Sequence, residues 1–122
     1  MKFSVDLHHL VSVPGFWYLA SPYSKYLPDK DAAWKEICRI RGCLVIEGVC
    51  AYSPIAETHQ VSIECGIGTD HKTWATDNET KMAAAYGCIV VKMQGWDDSE
   101  GVLSEIAWFR ANNKPVIFLD PQ

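Results

Sequence analysis

Apolar residues in this chain fall into short unbroken runs, separated by stretches where they recur at helical spacing. The run "FWYLASP" (16–22) stops at Ser-Pro and predicts a buried strand. After "YSKYLPDKD", residues Ala33, Ile37, Ile40 and Leu44 mark one face of a helix that starts near Asp29 or Asp31 and ends at Gly48. "VCAYSPI" (49–55) predicts a second short strand, again closed by Ser-Pro. Region 56–73 is interrupted by "GIGTD" and predicts a short helix before a loop. "DNETKMAAAY" (77–86) opens with a strong N-terminal signal and predicts a helix ending at Gly87. "CIVVKM" (88–93) is a continuous apolar run suited to a strand covered on both faces. Ser99 caps a helix running to about Asn112, with Val102, Ile106 and Phe109 facing inward, and "KPVIFLD" (114–120) supplies the last strand.

Strands alternating with helices predict right-handed crossovers and a parallel sheet. The expected fold is therefore α/β, a small doubly wound, flavodoxin- or Rossmann-like sheet of four to five strands flanked by helices. With 122 residues, the chain reads as one domain over 1–122, in which residues 1–15 form a possible extra hairpin or oligomer arm.

Composition narrows the function classes. A chain with 48% hydrophobic and 21% charged residues is globular, and its net charge of -4 argues against a nucleic-acid polymer as partner. No apolar run is long enough to span a bilayer, and the acid and histidines in "MKFSVDLHHL" make a poor signal peptide, so no membrane partner is expected. Five cysteines without CxxC spacing fit a reducing, cytoplasmic setting. His59, Cys65 and His71 match no standard zinc spacing, so neither a metal nor another cofactor is expected.

In an open parallel sheet, ligands bind beyond the carboxyl ends of the strands. The loops there read "ASPYSKY", "YSPIAETH" and "QGWDDSEG", rich in hydroxyls and acids and free of phosphate-cradling glycine motifs. Glu105 stands out. Its neighbours three and four positions away are Gly101, Val102, Trp108 and Phe109, none of them basic. Either the side chain reaches outward past Gly101, or Gly101 leaves room for a ligand beside a partly desolvated carboxylate. Such a carboxylate needs a donor, and Tyr18 is a plausible one, though it could equally be a core aromatic. Ser99 needs no role beyond its cap. Asp97 and Asp98 suit the positive end of the helix, and Trp96 could stack on a ligand or fill the core.

"YLASPYS", "YSPI" followed by His59, "WATDN", "GWDDSEGVLSEI" and "KPVIFL", in that order over 16–120, resemble the DUF1937 group. That group is similar to the nucleoside 2-deoxyribosyltransferases and the deoxynucleoside-monophosphate N-hydrolases. The resemblance implies Glu105 as nucleophile, Tyr18 as its partner, and Ser99 as the polar residue six positions before it; serine there is closer to the hydrolases. It places Asp77 or Asn78 where the family has an aspartate near the leaving base, with Asp77 or Asp98 to protonate the base or hydrogen-bond it. Ser21, Ser24 and Lys25 stand where the hydrolases hold a phosphate, although with no matching arginine. Together with His59, Trp96 and Gly101, these make up the expected substrate-binding set.

The implied reaction is cleavage or transfer at the N-glycosidic bond of a nucleoside or nucleoside 5′-monophosphate, through a glycosyl ester on Glu105. A nucleotide-binding protein without turnover, such as a sensor or sequestering protein, is the alternative. A purely structural interaction domain would account for neither Glu105 nor the polar loops. Related proteins complete the pocket with a neighbouring subunit, so a homo-oligomer is expected.

Overall fold

The computed structural model describes residues 7–121. Four parallel strands, β1 (Trp17–Ala20), β2 (Ala51–Tyr52), β3 (Gly87–Val91) and β4 (Val116–Leu119), form one sheet in the order β2-β1-β3-β4. The helices are α1 (His8–Val11), α2 (Lys30–Ile46), α3 (Pro54–Cys65), α4 (His71–Ala84) and α5 (Glu100–Ala111). A single 3-10 turn, Trp96–Asp98, precedes α5.

Strand alternation divides the core in two. Trp17, Leu19, Ile89 and Val91 point to one face, where Ile37, Ile40 and Leu44 of α2 cover them. Tyr18, Ala20, Cys88 and Val90 point to the other, against Met82 of α4 and Val102, Ile106 and Phe109 of α5. Helices on both faces make the sheet doubly wound. The chain moves outward from β1 to β2, then crosses back to β3 and on to β4, so strand order reverses between β1 and β3.

The element ends have local causes. Asp29 caps α2 by accepting from the Ala32 amide at 2.9 Å. Ser53 caps α3, and Pro54 occupies its first turn, where a missing N–H costs nothing. The strand expected over 49–55 is therefore only two residues long, because its Ser-Pro end begins the next helix. Within region 56–73, α3 runs to Cys65 and Gly66 closes it in the left-handed conformation.

The helix expected from Asp77 begins instead at His71. Asp70 is its cap, taking hydrogen bonds from the Thr73 amide at 3.1 Å and the Thr73 hydroxyl at 2.8 Å. Asp77 thus lies in mid-helix. The C-terminal end of α4 is closed by Lys114, whose ammonium donates to the carbonyls of Ala83 and Ala85, both at 2.6 Å.

Where a hairpin or arm was considered for 1–15, residues 8–11 form a helical turn, while 1–6 lie outside the described residues. Leu7 and Leu10 join the α2-side core, and the Trp17 indole donates to the Leu10 carbonyl at 3.0 Å. Among the described residues, no helix is long and apolar enough to cross a membrane.

Candidate active site

The loops that follow β1 and β3 meet at the point where strand order reverses. Gly95 makes this possible. It holds φ +90°, and a Cβ there would stand 2.5 Å from the Lys25 carbonyl oxygen. Beside it the Leu27 amide donates to the Gln94 side chain at 3.1 Å. The two loops form one end of a cleft of about 740 Å³, walled by α3, α4 and α5.

Helix α5 shows why a carboxylate sits among apolar residues. Val102, Ile106 and Phe109 are its core stripe. Gly101, Ser104, Glu105 and Trp108 form an adjacent stripe that lines the cleft. Glu105 therefore stands at the boundary between core and cleft. Tyr18 reaches it from beneath, its phenol donating to Glu105 Oε2 at 2.5 Å. Tyr18 itself is fully buried between strands, with its ring against Phe109 at 5.5 Å.

The electrostatics of this pair follow from burial. Glu105 is half-buried, open toward the cleft and packed by protein on the sheet side. Desolvation raises its carboxyl pKa to about 7, and the Tyr18 hydrogen bond pulls the other way. The Tyr18 phenol is pushed far up, first by burial and then by the Glu105 charge, so Tyr18 keeps its proton and acts as a donor. Burial, and then the same charge, raises the neighbouring Cys88 thiol, which stays protonated.

Several expected residues converge here. Ser21, Ser24 and Lys25 line the cleft from the loop after β1, and Ser99 and Gly101 from the start of α5. Ser99 is buried, and its hydroxyl accepts from the Val102 amide at 3.3 Å, so the cap and the cleft position coincide. The Ser21 hydroxyl is buried without a protein partner. Between Asp77 and Asn78, the cleft wall includes Asn78, and its side-chain oxygen is buried and unpartnered.

Other expected residues stand apart. Asp77 pairs with Lys81 at 3.2 Å, on the side of α4 where Lys81 lies over the Tyr52 ring. Trp96 packs edge-on against Phe118 at 5.6 Å, outside the cleft wall, because the 3-10 turn directs it toward β4. Asp98 is exposed on that turn. His59 is buried, is not part of the cleft lining, and contacts the lining residue Tyr23.

Trp74 and Glu79 line the cleft without having been singled out for a role. Trp74, Asn78 and Met82 recur every four residues on α4, a stripe visible in sequence once the helix is started at residue 71. Among the described residues, no group of three or more His, Cys, Asp or Glu could hold a metal ion.

A doubly wound α/β domain with a carboxylate-bearing cleft at its switch point is the class that fold and site define. A family model described as "Domain of unknown function (DUF1937)" matches residues 15–120, and the chain belongs to that family. No curated protein is similar enough to the chain to count as a match.

Proposed function

We propose that the protein cleaves or transfers at the N-glycosidic bond of a nucleoside or nucleoside 5′-monophosphate, with Glu105 as nucleophile. The observation that carries this reading is the Tyr18–Glu105 hydrogen bond of 2.5 Å, placed at the cleft in the crevice where such folds bind ligands. One Glu105 oxygen bonds to the anomeric carbon as the carbon–nitrogen bond breaks, and the bonding pair leaves with the base, which takes up a proton from solvent that is returned when water later gives its hydroxyl to the sugar. Water then opens the ester, releasing the sugar and regenerating the carboxylate; a second base in place of water gives transfer. Tyr18 holds the second carboxylate oxygen, which orients the attack and limits the charge left unpaired before the ester forms.

Trp74 and Trp108 offer aromatic surface to the base, while Trp96 packs against Phe118 instead. Asn78 takes the leaving-group position in place of Asp77. An amide can hydrogen-bond the departing base but cannot supply an acidic proton, and this one observation favours the second reading, a nucleotide-binding protein without turnover. Assembly into a homo-oligomer and a cytoplasmic location complete the proposal, and sedimentation of the purified chain tests the former.

The test is chromatographic release of free base from a panel of nucleosides and 5′-monophosphates, run beside Glu105→Ala. Release by the wild type and none by the variant is the expected outcome. Ligand binding with no release by either protein would move the conclusion to the binding protein.

A further inference from the structure

A second polar array, separate from Tyr18 and Glu105, reaches the cleft through the loop after β1 and α3. Tyr23, in the loop after β1, lines the cleft, and its hydroxyl lies 2.5 Å from Nδ1 of His59 on α3. His59 is only 7% exposed. Its imidazole stacks on Trp34 of α2 at 5.0 Å and 21°, and the Trp34 indole is itself anchored to the Ala56 carbonyl at 3.1 Å. On the other edge of the ring, Nε2 is buried without a hydrogen-bond partner and faces Asp31 Oδ1 at 3.6 Å. Two lysines stand near this array: Lys35, paired with Asp31 at 3.2 Å, and Lys30, 5.3 Å from the Tyr23 ring centre.

These contacts fix where the protons go. A neutral imidazole carries one N–H, and the Asp31 carboxylate favours it on Nε2. Nδ1 is then a lone pair, and at 2.5 Å from it the Tyr23 hydroxyl must donate. Burial and the Asp31 charge both hold the Tyr23 phenol protonated, so this donor persists. A hydroxyl has one proton, and with that proton committed to His59 only its oxygen lone pairs face the cleft.

We propose that Asp31 and His59 lock Tyr23 as a hydrogen-bond acceptor toward the ligand, so that the cleft selects ligands carrying a donor at this wall. Tyr23 is a binding residue, and His59 and Asp31 are positioning residues. The donor is a sugar hydroxyl or an amino group of the base, an identity that rests on the nucleoside reading above. Tyr18 also commits its proton, to Glu105, but it is fully buried and stands outside the cleft lining, so among the described residues Tyr23 is the tyrosine whose lone pairs face the ligand.

The first test needs no ligand. Nitrogen-15 spectra of His59 in the full chain, recorded with the ring neutral, should show the Nε2–H tautomer, and Asp31→Asn at this exposed position should relax that preference. An Nδ1–H tautomer in the wild type overturns the proposal. The second test is calorimetric affinity for adenosine, 3′-deoxyadenosine and inosine. Tyr23→Phe should weaken adenosine binding about 5- to 10-fold, the range of one ordinary hydrogen bond. His59→Asn, whose amide oxygen replaces the Nδ1 lone pair, should retain most of the affinity, which a purely packing role beside Trp34 would not allow. The probe whose binding no longer responds to Tyr23→Phe names the donor: 3′-deoxyadenosine for the 3′-hydroxyl, inosine for the amino group, whereas a response in all three assigns it to the 2′- or 5′-hydroxyl. Unchanged affinity of Tyr23→Phe for all three overturns the proposal. Because the spectra are taken without ligand, failure of the nucleoside reading in the base-release assay stays distinct from failure of the array.

Discussion

In the proposed reaction Glu105 must be ionised to attack a glycosidic carbon, yet burial lifts its carboxyl to about 7. The catalytic rate should therefore rise with pH through that region, and Tyr18→Phe should move the rise to higher pH, because it removes the hydrogen bond that lowers the carboxyl. A pH profile of kcat/KM for both proteins checks this; an unmoved profile would separate Tyr18 from the titration. The same shift has a stability consequence. A carboxyl raised from its ordinary 4.5 binds more protons in the folded than in the unfolded chain between 4.5 and about 7. Stability is thus lost as pH rises through that window. Glu105→Gln should recover roughly 1–3 kcal/mol above it, and nothing below it, in denaturant titrations at both ends. Of these residues, Glu105 was legible in the sequence because no cation lies within its helical reach. His59 could be named, but its role could not be read: its partner Tyr23 is 36 positions away, and only the packing of α2 against α3 brings Asp31 to the ring.

At the scale of elements, alternation of apolar runs with helical stripes made the parallel sheet legible, and Ser99 and Gly48 marked their helix ends correctly. The boundary of α4 was not legible, for a physical reason. Asp77 and the polar residues after it resemble a helix start, whereas the true first turn, "HKTWAT", has too few apolar residues to show a core face. Its exposed side meets the cleft rather than the core, so hydrophobic periodicity carries no trace of it. That misplaced boundary is what left Asp77 and Asn78 unresolved. Loop docking at the switch point was likewise hidden, since nothing near Gly95 in sequence announces the Lys25 carbonyl. Gly95→Ala tests that contact. The new methyl group would meet the carbonyl at 2.5 Å in a backbone conformation that alanine disfavours. Destabilisation of about 2 kcal/mol or more is expected. Base release should fall further than stability alone explains, because the loops carrying Lys25 and Ser99 lose their register. A variant as stable and active as the wild type would show that the loops can part without consequence.

At the scale of the molecule, charge distinguishes the two substrate classes left open by the site. The cleft wall carries Asp70, Glu79, Glu100 and Glu105, and Lys25 is its one lysine or arginine among the described residues. In a chain of net charge -4, this gives the cleft a negative field. In the proposed reaction, such a field stabilises the positive charge that grows on the sugar, and it opposes a phosphate dianion. Against it stand Lys25, the amino end of α5, and the buried, unpartnered Ser21 hydroxyl of the loop after β1, which can donate. Three carboxylates and a partly ionised Glu105 outweigh one lysine and a half-charge at a helix end, so the nucleoside should be the better substrate. The expected result is a kcat/KM for the nucleoside on the order of 10-fold above that of its 5′-monophosphate at low ionic strength. Raising the salt should narrow the gap, since screening shortens the reach of the wall charges at the open side of the cleft. Lys25→Ala should widen it by lowering activity on the monophosphate alone. A preference for the monophosphate that collapses in Lys25→Ala would reverse the ranking and assign Ser21, Ser24 and Lys25 to a phosphate subsite strong enough to overcome the field of the whole cleft.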